Sequence, residues 1–143
     1  MLENNAPTVL VVDDAHAVRV LIVEALKRSP VPCTVLEAAS LDEVGRRLAA
    51  WTTGTEAWPA LILLDLHLPP GDSLELLETL RAETRDSLHV PVVMLSGSGS
   101  HEDALRAYRR GASGFAVKPI GFKRLQEVVD QILGYWLGAM SND

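Results

Sequence analysis

The stretch Ala60-Leu61-Ile62-Leu63-Leu64-Asp65, followed at once by Leu66-His67-Leu68-Pro69-Pro70-Gly71, decides the fold class of this chain. The continuous apolar run is typical of a strand buried on both faces, as in a parallel sheet covered by helices. Proline and glycine directly after the run indicate that the strand stops and a loop begins. We therefore expect the carboxylate of Asp65 at the carboxyl end of a buried strand, where open parallel sheets place their ligand sites.

Three other apolar runs also end in polar or charged residues. These are residues 9–12 before Asp13-Asp14, residues 92–95 before Ser96, and residues 114–117 before Lys118-Pro119. Because parallel strands bring their carboxyl ends to one edge of a sheet, three carboxylates, one hydroxyl and one ammonium group are expected to meet there.

Apolar strands alternate with amphipathic helical stretches five times along the chain. The predicted strands lie at about residues 8–13, 33–38, 60–65, 90–95 and 114–117. The first helix stops before Pro30, the second follows a cap at Ser40, and the others cover about residues 73–84, 101–110 and 122–137. This alternation predicts an α/β fold, a doubly wound five-stranded parallel sheet with helices on both faces. We expect a flexible N-terminus at residues 1–7, one domain at residues 8–138 and a C-terminal tail at residues 139–143.

Composition and charge narrow the classes of function. Of the 143 residues, 48% are hydrophobic and 22% charged, which predicts one packed domain. The net charge of −6 at pH 7 argues against direct binding to nucleic acid. The sequence shows neither an apolar run long enough to cross a membrane nor a signal peptide. Since Cys33 is the single cysteine, no internal disulfide can form, and we expect a cytoplasmic protein.

The strand-end residues, taken in order, resemble the receiver (CheY-like) domain of bacterial two-component response regulators. The residues that carry the resemblance are Asp13-Asp14, Asp65, Ser96 and Lys118-Pro119. It covers about residues 8–137 and implies a flavodoxin-like (βα)5 fold. It further implies that Asp65 accepts a phosphoryl group from a histidine kinase, with Lys118 and Ser96 assisting. Asp13, Asp14 and Asp65 would hold Mg²⁺, and a cis peptide bond before Pro119 would aim Lys118 inward.

Elementary chemistry agrees with these implied roles. Three crowded carboxylates repel one another unless a cation intervenes, and Mg²⁺ prefers hard oxygen ligands of this kind. An aspartate such as Asp65 can attack phosphorus to give an acyl phosphate. The ammonium group of Lys118 can stabilise the negative charge that spreads over the transferred group.

The resemblance also implies regulatory positions. Phe115 matches an aromatic residue that turns inward when the hydroxyl residue, here Ser96, moves toward the phosphoryl group, so the pair would form a two-state switch. His67 and Ser98 lie two positions after Asp65 and Ser96, and they would tune the lifetime of the phosphoryl group. One departure from the family pattern follows Asp65, because many receivers have a glycine eight positions on and this chain has serine.

Helix five is expected to carry the output, since no further output module follows it in the sequence. Its apolar residues cover more of the helix than one core-facing stripe requires. The segment Gly134-Tyr135-Trp136-Leu137 is similar to the ends of stand-alone regulators partnered with phytochrome-type histidine kinases. This implies such a kinase as the partner and a homodimer through helix five. In the alternative, Trp136 folds back over the domain's own core.

Several alternatives remain open at this stage. The protein would be a single-domain signalling switch rather than an enzyme acting on other substrates, or a phosphoryl shuttle in a phosphorelay, or an interaction module that is never phosphorylated. A haloacid-dehalogenase-type phosphatase needs a second acid where His67 stands, and a flavodoxin-like cofactor binder needs a phosphate cradle where Asp13-Asp14 stands. The acidic pair could also merely cap the first helix.

Overall fold

Strands and helices alternate five times in the computed structural model, which describes residues 6–84 and 90–138. The elements in chain order are β1 (Thr8–Val12), α1 (His16–Arg28), β2 (Thr34–Ala38), α2 (Leu41–Thr53), β3 (Leu61–Asp65), α3 (Ser73–Thr84), β4 (Val92–Ser96), α4 (His101–Arg109), β5 (Gly114–Val117) and α5 (Phe122–Trp136). Each predicted element is present, with ends within two residues of those expected. The predicted α/β fold is confirmed.

The five strands form one parallel sheet in the order β2-β1-β3-β4-β5. The chain passes from β1 to β2 on one side and then returns to place β3 on the other side of β1. The strand order therefore reverses between β1 and β3, and such reversal points open a crevice at the carboxyl ends of the strands. Asp13 directly follows β1 and Asp65 ends β3, so both acids lie at this reversal point.

Alternation along the strands divides the core into two layers. Leu10 and Ile62 face a layer covered by α2, α3 and α4, whereas Val9 and Leu61 face a layer covered by α1 and α5. Side chains of successive strand residues point to opposite faces, so both faces of β1 and β3 are apolar. Burial on both faces holds the strand ends, and thus the acids, in fixed positions.

Two predicted terminal segments lie largely outside the described residues. Of the expected flexible N-terminus at residues 1–7, residues 1–5 are not described, and the tail at residues 139–143 is not described either. Pro7 is held by the sheet, because its carbonyl accepts a hydrogen bond from the Thr34 N–H at 2.8 Å.

Helix α5 packs mainly on its own domain. Its buried residues are Leu125, Val129, Ile132 and Leu133. Trp136 packs against the same layer, and a Cβ added to Gly114 would lie 3.6 Å from its ring. Tyr135 is instead 74% exposed and contacts Trp136 edge-on, with ring centroids 4.8 Å apart. The structure thus favours the alternative in which Trp136 covers the core. The broad apolar surface of α5 packs within the layer that α5 shares with α1.

None of the helices in the described part of the chain combines the length and the apolar character that crossing a membrane requires.

Candidate functional site

Three carboxylates meet at the carboxyl ends of β1 and β3. Asp13 and Asp65 are buried, with exposed fractions of 1% and 5%, whereas Asp14 is exposed. One oxygen from each of the three carboxylates lies within 4.8 Å of the others. Like charges at this spacing repel one another in a partly buried site, so a nearby positive charge would stabilise the arrangement.

Lys118 supplies positive charge at this site. Its Nζ donates to Asp13 Oδ2 at 2.9 Å and lies 3.3 Å from Asp65 Oδ1. The backbone N–H of Lys118 donates to the Ser96 carbonyl at 2.7 Å, which holds the end of β5 against β4. The end of β5, held against β4, therefore places the Lys118 ammonium group between the two buried carboxylates.

The expected cis bond before Pro119 is wrong. The cis peptide bond in the described chain joins Pro69 to Pro70, and the Lys118–Pro119 bond is trans. The lysine side chain is long enough to reach Asp13 and Asp65 from the end of β5 with a trans bond.

The pKa of Asp65 is raised above its usual value. Burial is the largest cause, because it disfavours the charged carboxylate, and the negative charge of Asp13 acts in the same direction. The charge and hydrogen bond of Lys118 and the His67 N–H oppose the shift but do not cancel it.

The pKa of Lys118 is also raised. Burial alone would lower it, since the charged ammonium loses water. The hydrogen bond to Asp13 and the negative charges of Asp65 and Asp13 outweigh burial, so the ammonium form is strengthened.

The two oxygens of Asp65 differ in their surroundings. Oδ1 accepts the backbone N–H of His67 at 3.2 Å and faces Lys118 Nζ. Within the described residues, no donor reaches Oδ2. Because both donors reach Oδ1, Oδ2 is the oxygen available to form a new bond.

The predicted switch residues lie beside the site but do not contact Asp65 in the described residues. Ser96 is fully buried, and its Oγ accepts the Ser98 N–H at 3.1 Å. Phe115 pairs with Met94 in the sheet register and is half-buried against the layer covered by α2, α3 and α4.

The two residues expected to tune the phosphoryl lifetime, His67 and Ser98, are both exposed. His67 contacts Asp65 through its backbone N–H. Ser98 contacts Ser96 through its backbone N–H, and its hydroxyl accepts the Ser100 N–H at 3.4 Å.

Two features of the site were not anticipated from the sequence. Arg19 donates to the Asp13 carbonyl at 2.7 Å and to Glu37 Oε1 at 3.0 Å, which ties α1 to the ends of β1 and β2. Asp13 Oδ1 accepts the Ala15 N–H at 2.9 Å, and Ala15 itself offers no side-chain cap to α1. The Ala15 N–H precedes the first residue of α1, and α1 has no side-chain cap, so the cap alternative fails for both Asp13 and Asp14.

The donor set fits a hard divalent cation. Carboxylate oxygens of Asp13, Asp14 and Asp65 converge, and Mg²⁺ is held by one or a few carboxylates with waters completing its shell. The exposure of Asp14 leaves room for those waters.

The residues matched by the family model for the response regulator receiver domain are 9–130. The chain belongs to this family. Receiver domains are signalling proteins rather than metabolic enzymes, and they work with histidine kinases.

Two curated relatives illustrate the match. The probable methanogenesis regulatory protein FilR2 of Methanothrix harundinacea (strain 6Ac) is 32% identical over 130 residues, which is 91% of this chain and 83% of that protein. The phosphate regulon transcriptional regulatory protein PhoB of Klebsiella pneumoniae is 35% identical over 122 residues, 84% of this chain. The match covers 48% of PhoB, so this receiver domain spans about half of that relative's length.

Solved structures show the same fold over nearly the whole chain. The phosphorylated cyanobacterial phytochrome response regulator RcpA is 29% identical with a TM-score of 0.77, covering 94% of this chain and 96% of that one. The Mn²⁺-bound response regulator Rcp1 is 28% identical with a TM-score of 0.74, covering 92% and 94%.

Proposed function

We propose that this receiver domain accepts a phosphoryl group on Asp65 from a histidine kinase, in a reaction that requires Mg²⁺. The phosphorylated form then signals through a changed protein-binding surface. The observation that carries the proposal is the position of the Lys118 ammonium between Asp13 and Asp65, with Asp65 Oδ2 left without a donor in the described residues.

The transfer step follows from this geometry. Oδ2 of Asp65 attacks the phosphorus of a phosphohistidine, the O–P bond forms as the P–N bond breaks, and the electron pair stays on the imidazole nitrogen. Lys118 stays charged because Asp13 and Asp65 strengthen its ammonium form, and its Nζ, 3.3 Å from Asp65 Oδ1, lies near the developing charge. Hydrolysis of the acyl phosphate by water returns the carboxylate and releases inorganic phosphate.

The metal ligands are Asp13, Asp14 and Asp65. Receiver domains bind Mg²⁺ at an acidic pocket, and Rcp1 has been solved with Mn²⁺ bound. The convergence of three carboxylate oxygens within 4.8 Å supports the same role here. When bound, the ion supplies positive charge to the phosphoryl oxygens.

Ser96 and Phe115 form the switch in this proposal. Ser96 Oγ now accepts one N–H, from Ser98, and turning toward a phosphoryl oxygen would exchange that bond for another. Space for Phe115 to move exists in a cleft of about 410 Å³ that it shares with Tyr108 and Trp136. His67 and Ser98 are exposed, and each contacts a site residue through its backbone N–H; in this proposal they set how easily water reaches the acyl phosphate.

The partner is a histidine kinase or a phosphotransfer protein, and the similarity to RcpA supports a phytochrome-type kinase. A homodimer through α5 is part of the proposal, with the 74% exposed Tyr135 as its anchor. No direct contact with nucleic acid is proposed, and a cytoplasmic location stays a prediction of the sequence.

Mass spectrometry of the intact protein tests the proposal. Incubation with acetyl phosphate and Mg²⁺ should add one phosphoryl group to the wild type and none to Asp65→Asn. Asp72→Asn is the matched control, because Asp72 lies in the same loop and its Oδ1 caps α3 by accepting the Leu74 N–H, which asparagine can also do. Equal modification of Asp65→Asn and the wild type would reject the assignment. A second experiment would mix the phosphorylated protein with a histidine phosphotransfer protein. Transfer of the phosphoryl group to that protein would identify a shuttle rather than a terminal switch.

A further inference from the structure

Ser73 connects the start of α3 to the end of β3. Its side chain is fully buried, and its Oγ donates to the backbone carbonyl of Asp65 at 2.7 Å. The two residues are eight positions apart, so this one bond closes the whole β3–α3 loop, residues 66–72, at its base.

The Asp65 carbonyl depends on this hydroxyl. The register between β1 and β3 ends at the pair Val12–Leu64, so the carbonyl of Asp65 lies one residue beyond the last paired residue on that side. On the other side, the bond between the strands is made by the Leu66 N–H and the Leu95 carbonyl. A buried carbonyl without a donor is costly, and Ser73 supplies one.

The same loop also holds the side chain of Asp65. The His67 N–H donates to Oδ1 at 3.2 Å, near the beginning of the loop, while Ser73 bonds the main chain of Asp65 from the end of the loop. One bond fixes the main-chain position of Asp65 and the other fixes the rotation of its carboxylate. Loosening the loop at Ser73 would therefore change the direction of Oδ2 relative to Lys118.

We propose that Ser73 is a positioning residue for phosphoryl transfer. Its hydroxyl fixes the Asp65 backbone and the β3–α3 loop so that Oδ2 is presented in line with the phosphorus. The inference deepens the proposed function and rests on it. The bond requires a side-chain hydroxyl, which Ser73 supplies in this chain.

The expected consequence is a loss of rate rather than a loss of phosphodonor binding. A displacement of a reacting atom by about 1 Å can cost on the order of 100-fold in rate, so we expect Ser73→Ala to lower the maximal phosphorylation rate roughly 10-fold or more. The acetyl phosphate concentration giving half the maximal rate should stay unchanged, because Ser73 is buried and does not contact the donor.

Three further variants make the test specific. Ser73→Thr keeps the hydroxyl and should restore a rate above that of Ser73→Ala. Ser73→Cys nearly preserves the volume with a weaker donor, and it replaces the alanine variant in the comparison if that one does not fold. Ser40→Ala removes another serine, the cap of α2 that accepts the Glu43 N–H, and should lower the melting temperature without lowering the rate.

The experiment measures the phosphorylation rate of each folded variant against acetyl phosphate concentration with Mg²⁺. A reduced maximal rate in Ser73→Ala, with partial return in Ser73→Thr, supports the proposal. A wild-type maximal rate in Ser73→Ala, or equal rates for alanine and threonine, overturns it. Failure of the proposed function would look different, because the wild type itself would not be modified or Asp65→Asn would be modified equally.

Discussion

Lys118 Nζ lies 2.9 Å from Asp13 Oδ2, although the two residues are 105 positions apart in the chain. The contact joins the end of β5 to the end of β1 across two intervening strands. It also places the ammonium 3.3 Å from Asp65 Oδ1, so one cation neutralises part of the charge of two buried acids. The site thus has a positive group beside Oδ1 of the carboxylate whose other oxygen, Oδ2, is to accept phosphorus.

Removing this cation should slow phosphorylation strongly. Lys118→Ala loses the group that stabilises charge in the transition state, and loss of one such group typically costs about 100-fold or more in rate. Radiolabelled or mass-resolved time courses with acetyl phosphate measure the effect. Lys123→Ala is the control, because Lys123 is exposed on α5 and should leave the rate unchanged. A wild-type rate in Lys118→Ala would remove Lys118 from the mechanism.

Asp65→Asn should stabilise the metal-free protein at neutral pH. Burial, joined by the charge of Asp13, raises the pKa of Asp65 above 3.8. A raised folded-state pKa means that the protonated carboxyl favours the fold, and this contribution is lost as the pH rises through the folded-state pKa. The charged carboxylate therefore opposes folding at neutral pH.

Thermal melts in chelator across a pH series measure this effect. The melting temperature of Asp65→Asn should exceed that of the wild type at pH 7, and the difference should shrink as the pH falls toward 3.8. A wild type that is more stable than Asp65→Asn at pH 7 without metal would contradict the raised pKa.

Mg²⁺ should stabilise the wild type and stabilise the acid-site variants less. A ligand that binds only the folded state adds about 2.7 kcal/mol at one hundred times its Kd. Asp13→Asn and Asp14→Asn each remove one ligand charge, so their melting temperatures should respond less to added Mg²⁺. Asp42→Asn, in the first turn of α2, is the control and should respond like the wild type. Equal responses in all four proteins would place the ion elsewhere.

The two aromatic residues at the end of α5 should behave differently. Trp136→Ala should cost about 2 kcal/mol or more of folding free energy, because the ring packs on the α1–α5 layer and against Gly114. Tyr135→Ala should change stability by less than about 0.5 kcal/mol, because Tyr135 is 74% exposed. The same tyrosine variant also tests the proposed homodimer. If α5 forms a homodimer, Tyr135→Ala should shift the protein toward monomer in sedimentation. A wild type that is monomeric before and after phosphorylation would reject the dimer.

Most of the fold could be predicted from the sequence. Strands buried on both faces appear as continuous apolar runs, and the polar, proline and glycine residues that end them are visible in the sequence itself. The acids, Ser96 and Lys118 were brought to one edge by strand direction alone. The trans bond before Pro119 and the inward packing of Trp136 could not be read from spacing, since both depend on tertiary contacts. Arg19 and Ser73 were missed as site partners for the same reason, because their acceptors are backbone carbonyls, and a backbone carbonyl gives no signal in the residue pattern.

Chemical mapping of the acyl phosphate tests the central claim most directly. Borohydride reduces an aspartyl phosphate to homoserine, which tandem mass spectrometry can locate in the chain. After treatment with acetyl phosphate and Mg²⁺, we expect homoserine at position 65 in the wild type and nowhere in Asp65→Asn. Homoserine at another aspartate, or none in a wild type that carries a phosphoryl group, would contradict the assignment of Asp65 as the phosphoacceptor.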